Sequence, residues 1–221
     1  MLRNIKILLA VITIILMALD AAAAGGRQLV IIDPAHGGDD AGVKITDKLG
    51  EKEITLAIAL ALQKELGKDG KIEVILTRDS DSNVSIEERK KKVEKAKPDM
   101  FLSLHINAGF GKSVSGFEIY YPGFMENRER KKSAAKNLQA RYLNESVKLA
   151  KLIEKNLNTI FPRQSRGLRE ADTPILEELT VPALVVELAF ATNPEDRKKI
   201  QSPKIQAEIA RALAKSIKSF F

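Results

Sequence analysis

The sequence predicts one α/β domain: a twisted, mostly parallel sheet of about six strands, with helices on both faces. Two observations carry that expectation. Short apolar, β-branched runs (LVII at 29–32, MFLSL at 100–104, ALVVELAF at 183–190) alternate with segments of helical period. Glycine or proline follows closely on these runs, as when a buried strand ends in a loop. A chain of 221 residues, 44% apolar and 29% charged, suffices for one proper core. No internal repeat, low-complexity tract or linker divides it.

In order, the chain opens with MLRNIK, the apolar run Ile7–Leu19, then Asp20 and AAAAGG. A basic start, a short apolar core and small residues with A-x-A choices make residues 1–24 a secretory signal peptide. The run is short of the ~20 residues that span a bilayer; an uncleaved anchor is the alternative reading. Export to the periplasm, cell wall or medium follows, with membrane contact only through this segment if it is retained. Residues 25–221 are the functional domain.

The strand at Leu29–Ile32 runs into Asp33-Pro34 and the loop that holds His36. From Glu51, the apolar residues Ile54, Ile58, Ala61 and Leu62 recur at helical spacing, and Gly67 and Gly70 close the helix. Lys71–Arg78 is a second strand. SIEERKKKVEKAK, before Pro98, reads as a charged helix with a narrow buried stripe and a solvated lysine-rich face. Met100–Leu104 is a strand ending on His105, and Val114–Tyr121 is another. Residues 122–144 read as a polar, basic loop with some helix, and Glu145–Phe161 as an amphipathic helix. The stretch 163–172 is polar and arginine-rich, and TPILEEL at 173–179 reads as a short strand or edge segment. VPALVVELAF at 181–190 is a strongly apolar strand interrupted by Glu187, and two helical segments follow Asn193-Pro194.

Composition excludes some chemistry. There is no cysteine, so neither a thiol nucleophile nor a thiolate metal site exists. A formal charge of +7 on the whole chain, or +6 without Arg3, Lys6 and Asp20 of the leading segment, suits an anionic wall or membrane polymer rather than nucleic acid, or simply maintains solubility.

The chain has two histidines, each at or just past the end of a buried-strand pattern, and a third such run carries Glu187. In a parallel sheet these three positions converge on one crevice at the strand ends. Two neutral imidazoles and one carboxylate form a catalytic zinc set with the fourth position open. Zinc suits such nitrogen and oxygen donors better than calcium or magnesium does. Asp39, Asp40, Glu51, Glu53 and Glu187 are all available to complete the set, and spacing does not choose among them. Glu187 reads as a general base beside a metal, or as a buried glutamate paired with an arginine. Burial raises its pKa and a nearby metal opposes the rise.

The motifs DPAHGG (33–38), EKEITLAIAL (51–60), LTRDSD (76–81), SLHIN (103–107), SGFEIYY (115–121) and VPALVVELAFATNPED (181–196) resemble, in order, those of the zinc-dependent N-acetylmuramoyl-L-alanine amidases. The resemblance implies that His36, Glu51 and His105 bind one Zn2+ and that Glu187 is the catalytic glutamate. It also prefers Glu51 over Glu53. The implied reaction is hydrolysis of the amide joining N-acetylmuramic acid to L-alanine of the peptidoglycan stem peptide. Two alternatives are a zinc carboxypeptidase-like enzyme on a similar fold and a non-catalytic wall-binding module. Asn107 has a place in a loop or beside the ligands. Arg166 and Arg169 have the forked geometry that pairs with stem-peptide carboxylates, or are solvated surface. Ala35 stands where the family usually has glycine, which would strain a positive φ. Relatives in cell division carry a helical insertion over the zinc; the corresponding stretch, 122–144, is short and basic, which implies open access. An activator protein is a further partner that the resemblance allows.

Overall fold

The computed structural model describes residues 26–123 and 133–221, residues 133–140 by backbone alone. The expected signal peptide, 1–24, lies outside the described residues. The main sheet has six strands: β1 (Gln28–Pro34), β4 (Ile72–Leu76), β5 (Met100–Asn107), β6 (Phe117–Pro122), β7 (Ser165–Ala171) and β8 (Ala183–Phe190). Their order is β4-β1-β5-β8-β6-β7, and every pairing is parallel except β6 against β8. A small antiparallel ribbon, β2 (Lys44–Thr46) and β3 (Leu49–Gly50), leads directly into helix α1 (Glu51–Leu66). The other helices are α2 (Ile86–Ala96), α3 (Ser133–Leu157), α4 (Pro194–Ile200) and α5 (Pro203–Phe220).

Strand alternation divides the core into two unequal parts. On one face Val30, Ile32, Leu102, Leu104, Leu184 and Val186 pack under α1, α3 and α5, which contribute Ile54, Ile58, Ile153, Leu157, Ile209 and Leu213. On the other, Ile31, Phe101 and Val185 form a smaller cluster with Val93 of α2 and the loop residues Ile175 and Leu176. That thinner cover leaves the carboxyl ends of the strands open.

The arginine-rich stretch 163–172, to which the sequence assigns no element, contains β7, an edge strand with a single neighbour, so it shows no apolar run. Two expectations need correcting. TPILEEL is a turn rather than a strand, with Ile175 and Leu176 plugging the second face. The helix expected at Glu145–Phe161 begins at Ser133 and ends at Leu157.

Helix α2 starts with a capping box, Ser85 accepting from the Glu88 N–H and Glu88 accepting from the Ser85 N–H. Its stripe holds an unexpected charge, the buried Arg89. The Arg89 guanidinium meets Asp33 at 2.5 Å and donates to the carbonyls of Pro34 and His36 at 2.9 and 2.7 Å. Asp33, itself buried, also accepts from Thr77 at 2.5 Å and Ser103 at 2.6 Å. Arg89→Ala would leave this carboxylate buried without its cation. We expect it to cost about 3–5 kcal/mol in a urea unfolding titration.

Candidate metal centre and its cleft

Parallel pairing of β1 with β5 and of β5 with β8 brings the carboxyl ends of the three strands to one edge. His36 follows β1 in a left-handed conformation, φ 60°. Its loop is fixed through backbone oxygens. Arg78 donates to the carbonyls of Pro34 and Ala35, and Lys52 to that of Gly38. Ala35 is not among the residues with positive φ; the left-handed turn falls on His36, Gly37 and Gly38, so alanine is unstrained at 35.

Glu51 is the first residue of α1 and is 1% exposed. There its carboxylate meets the positive end of the helix dipole. Its Oε1 accepts from the Ile106 N–H at 2.8 Å and its Oε2 from the Val43 N–H at 3.0 Å. The same two oxygens lie 3.2 Å from His105 Nδ1 and 3.1 Å from His36 Nε2. The imidazole rings are 5.5 Å apart, and one donor atom from each of His36, Glu51 and His105 falls within 4.8 Å of the others.

Two of the other carboxylates available to this set, Asp39 and Glu53, are occupied elsewhere. Asp39 accepts from the Asn83 amide, and Glu53 reaches back to the Gly50 N–H as a helix cap. Asp40 lies 2.7 Å from His36 Nδ1, on the far side of the ring from Glu51. A carboxylate in that place fixes the tautomer and direction of a ligating histidine. For a metal ion held at this cluster, Asp40→Ala is expected to weaken binding by about 10–100-fold in a chelator competition titration.

The electrostatics fit a cation. Hydrogen bonding to Glu51 holds His36 up at about 9, against burial, with Asp40 adding to the rise. Burial alone would raise Glu51, yet hydrogen bonds from His105 and His36 carry it down to about 2. A buried anion between two imidazole nitrogens thus favours positive charge at their common centre. Nitrogen and carboxylate donors in that number match the three protein ligands of an open zinc site. Space is tight as well: a Cβ on Gly42 would come within 2.6 Å of both Glu51 Oε2 and the His36 ring.

Glu187 stands opposite His105 in the β5–β8 register and lines a cleft of about 580 Å³ with His36 and His105. Burial pushes it up to about 7, and its Oε2 is buried with no hydrogen-bond partner. The cleft continues along the apolar side chains of Val84, Ile86 and Ile175.

The remaining sequence candidates lie outside the donor cluster. Asn107 supplies its backbone carbonyl to the Ala191 N–H. Arg166 Nε and Arg169 Nη2 lie 2.8 and 3.3 Å from Oε1 of Glu118. Glu118 is a buried residue of β6 paired in register with Glu187. Sequence reading passed over it, although a carboxylate inside the apolar run SGFEIYY is the same signal that singled out Glu187. Arg78 and Arg89 were missed too, because nothing local distinguishes a buried arginine in a basic helix or loop.

The family model described as N-acetylmuramoyl-L-alanine amidase matches residues 30–219. The chain belongs to that family. N-acetylmuramoyl-L-alanine amidase AmiC of Escherichia coli is 26% identical over 229 residues, covering 90% of this chain and 54% of AmiC. The chain thus spans about half the length of that curated relative. Among solved structures, the catalytic domain of CwlV, an N-acetylmuramoyl-L-alanine amidase from Bacillus (Paenibacillus) polymyxa, is similar with a TM-score of 0.67 at 27% identity, over 88% of this chain and 98% of that one. The CwlD amidase of Clostridioides difficile, solved in complex with the GerS lipoprotein, gives a TM-score of 0.72 at 25% identity, again over 88% and 98%. The described sheet and helices thus share the fold of an amidase catalytic domain. No described helix is long and apolar enough to cross a membrane.

Proposed function

We propose that this amidase-family chain hydrolyses the amide between the lactyl group of N-acetylmuramic acid and L-alanine of the peptidoglycan stem peptide. The reading rests on one arrangement: two imidazoles and a buried carboxylate share a centre, and a carboxyl with a spare oxygen borders the same cleft. His36, Glu51 and His105 would hold a single zinc ion. Zinc in such a site supplies Lewis acidity, acidifying water and stabilising negative charge that develops on a carbonyl oxygen. Glu51 keeps the two imidazoles facing one point, and Asp40 holds the ring of His36. Glu187 is the proton carrier. Its carboxylate accepts the proton of the attacking water and returns it to the departing amine of L-alanine. Burial raises its affinity for a proton, which suits a group that must take one up.

Digestion of purified peptidoglycan tests the reading. Release of intact stem peptides from the glycan is expected. Release of single D-amino acids would instead indicate a carboxypeptidase, and binding without release a wall-binding module. We further infer that residues 1–24 direct export, so that the domain from residue 25 onward acts in the periplasm or wall. An activator protein belongs to the same reading, supported by the GerS lipoprotein bound to the related CwlD.

A further inference from the structure

One cluster lies beyond the metal donors. Register places His105 of β5 opposite Glu187 of β8, and Glu187 opposite Glu118 of β6. The three side chains therefore form a row across one level of the sheet. β7 ends that row. Its pairing with β6 slips between Phe117/Ser165 and Ile119/Leu168, at Gly167 with φ 87°. Residues three apart in a regular strand point to opposite faces. The slip cancels this alternation, and both Arg166 and Arg169 reach the same Glu118 oxygen. Glu118 is buried, whereas the arginine side chains remain 36% and 51% exposed. The Arg166 guanidinium is held a second time, 5.4 Å over the ring of Phe190. Two guanidinium groups thus converge on one oxygen of a buried carboxylate at the end of the row.

We propose that Arg166 and Arg169 form a subsite for a free carboxylate on the second residue of the stem peptide. Paired guanidinium forks suit a carboxylate and discriminate against its uncharged amide. The distance is suitable. Two interstrand spacings of ~4.8 Å separate β8 from β7, and an extended peptide advances ~3.3 Å per residue. A peptide whose amide lies at Glu187 therefore brings its second residue and its branch to the arginines. Glu118 is a positioning residue, holding both guanidinium groups and leaving their outer N–H groups to the ligand.

The proposal rests on the amidase reading, and its test separates the two. Two muramoyl tripeptides are compared as substrates, identical except for a carboxylate or a carboxamide on the branch of the second residue. The unsubstituted protein is expected to prefer the carboxylate by about tenfold or more in kcat/KM, mainly through KM. In Arg169→Gln the preference falls to near unity while kcat on the carboxamide persists, and Arg169→Lys restores part of it. A purely structural arginine would slow both substrates alike. Equal cleavage of the two peptides by the unsubstituted protein, or an undiminished preference in Arg169→Gln, overturns the subsite and leaves the amidase reading standing. Cleavage of neither peptide by zinc-loaded protein overturns both.

Discussion

Glu51→Ala is expected to emerge from purification without zinc and to hydrolyse peptidoglycan about 10³-fold more slowly, or worse, once the site cannot close on a metal. The carboxylate touches both imidazoles, so its loss removes one of the three proposed donors and the anion that draws positive charge to the site. It also strips the N–H groups of Ile106 and Val43 of their acceptor. Each buried donor left unpaired costs about 1–3 kcal/mol, so the alanine variant should also melt earlier. Glu51→Gln keeps the side chain's reach and one of its two acceptors while removing the charge, so it should lose the metal with a smaller loss of stability than the alanine variant. Metal content by atomic emission decides the matter: full zinc occupancy in Glu51→Ala would remove this residue from the ligand set.

Glu187→Gln should behave in the opposite way toward metal. Zinc remains, because Glu187 is outside the donor cluster, while turnover falls by about 10²–10⁴-fold with the loss of the proton carrier. Stability supplies a second readout. Burial lifts this carboxyl from its usual 4.5 to about 7. Between those values the folded chain keeps a proton that the unfolded chain has released, so stability declines as pH rises through the window. In metal-stripped protein Glu187→Gln removes that decline. It should therefore be the more stable form above pH 7, by on the order of 2–3 kcal/mol. Thermal melts across pH 4–8 check the sign; a variant less stable at pH 8 would mean that Glu187 is paired and structural.

The legible features were those in which local chemistry is unusual. A histidine at the end of an apolar run and a glutamate inside one stand out because burying such groups is costly, and His36, His105 and Glu187 were visible for that reason. β7 was not legible, since an edge strand with one neighbour needs no apolar pattern. Nor was Arg89, whose burial depends on Asp33, 56 residues away. Glu51 and Glu53 look alike in sequence. Position on the first turn separates them, one carboxylate turning to the imidazoles and the other capping the Gly50 N–H.

By itself, then, the sequence determined the α/β class, the strand-end placement of both histidines and the motif order that carries the resemblance. Apolar period and residue chemistry are properties of neighbours along the chain, and they survive without a fold. Only the tertiary structure decided which carboxylate faces both imidazoles, that Asp40 meets the far nitrogen of His36, and that Glu118 gathers two arginines beside Glu187. Those outcomes depend on strand register, a β-bulge and the first turn of one helix. Each places residues tens of positions apart within hydrogen-bond distance, and no spacing along the chain encodes that distance.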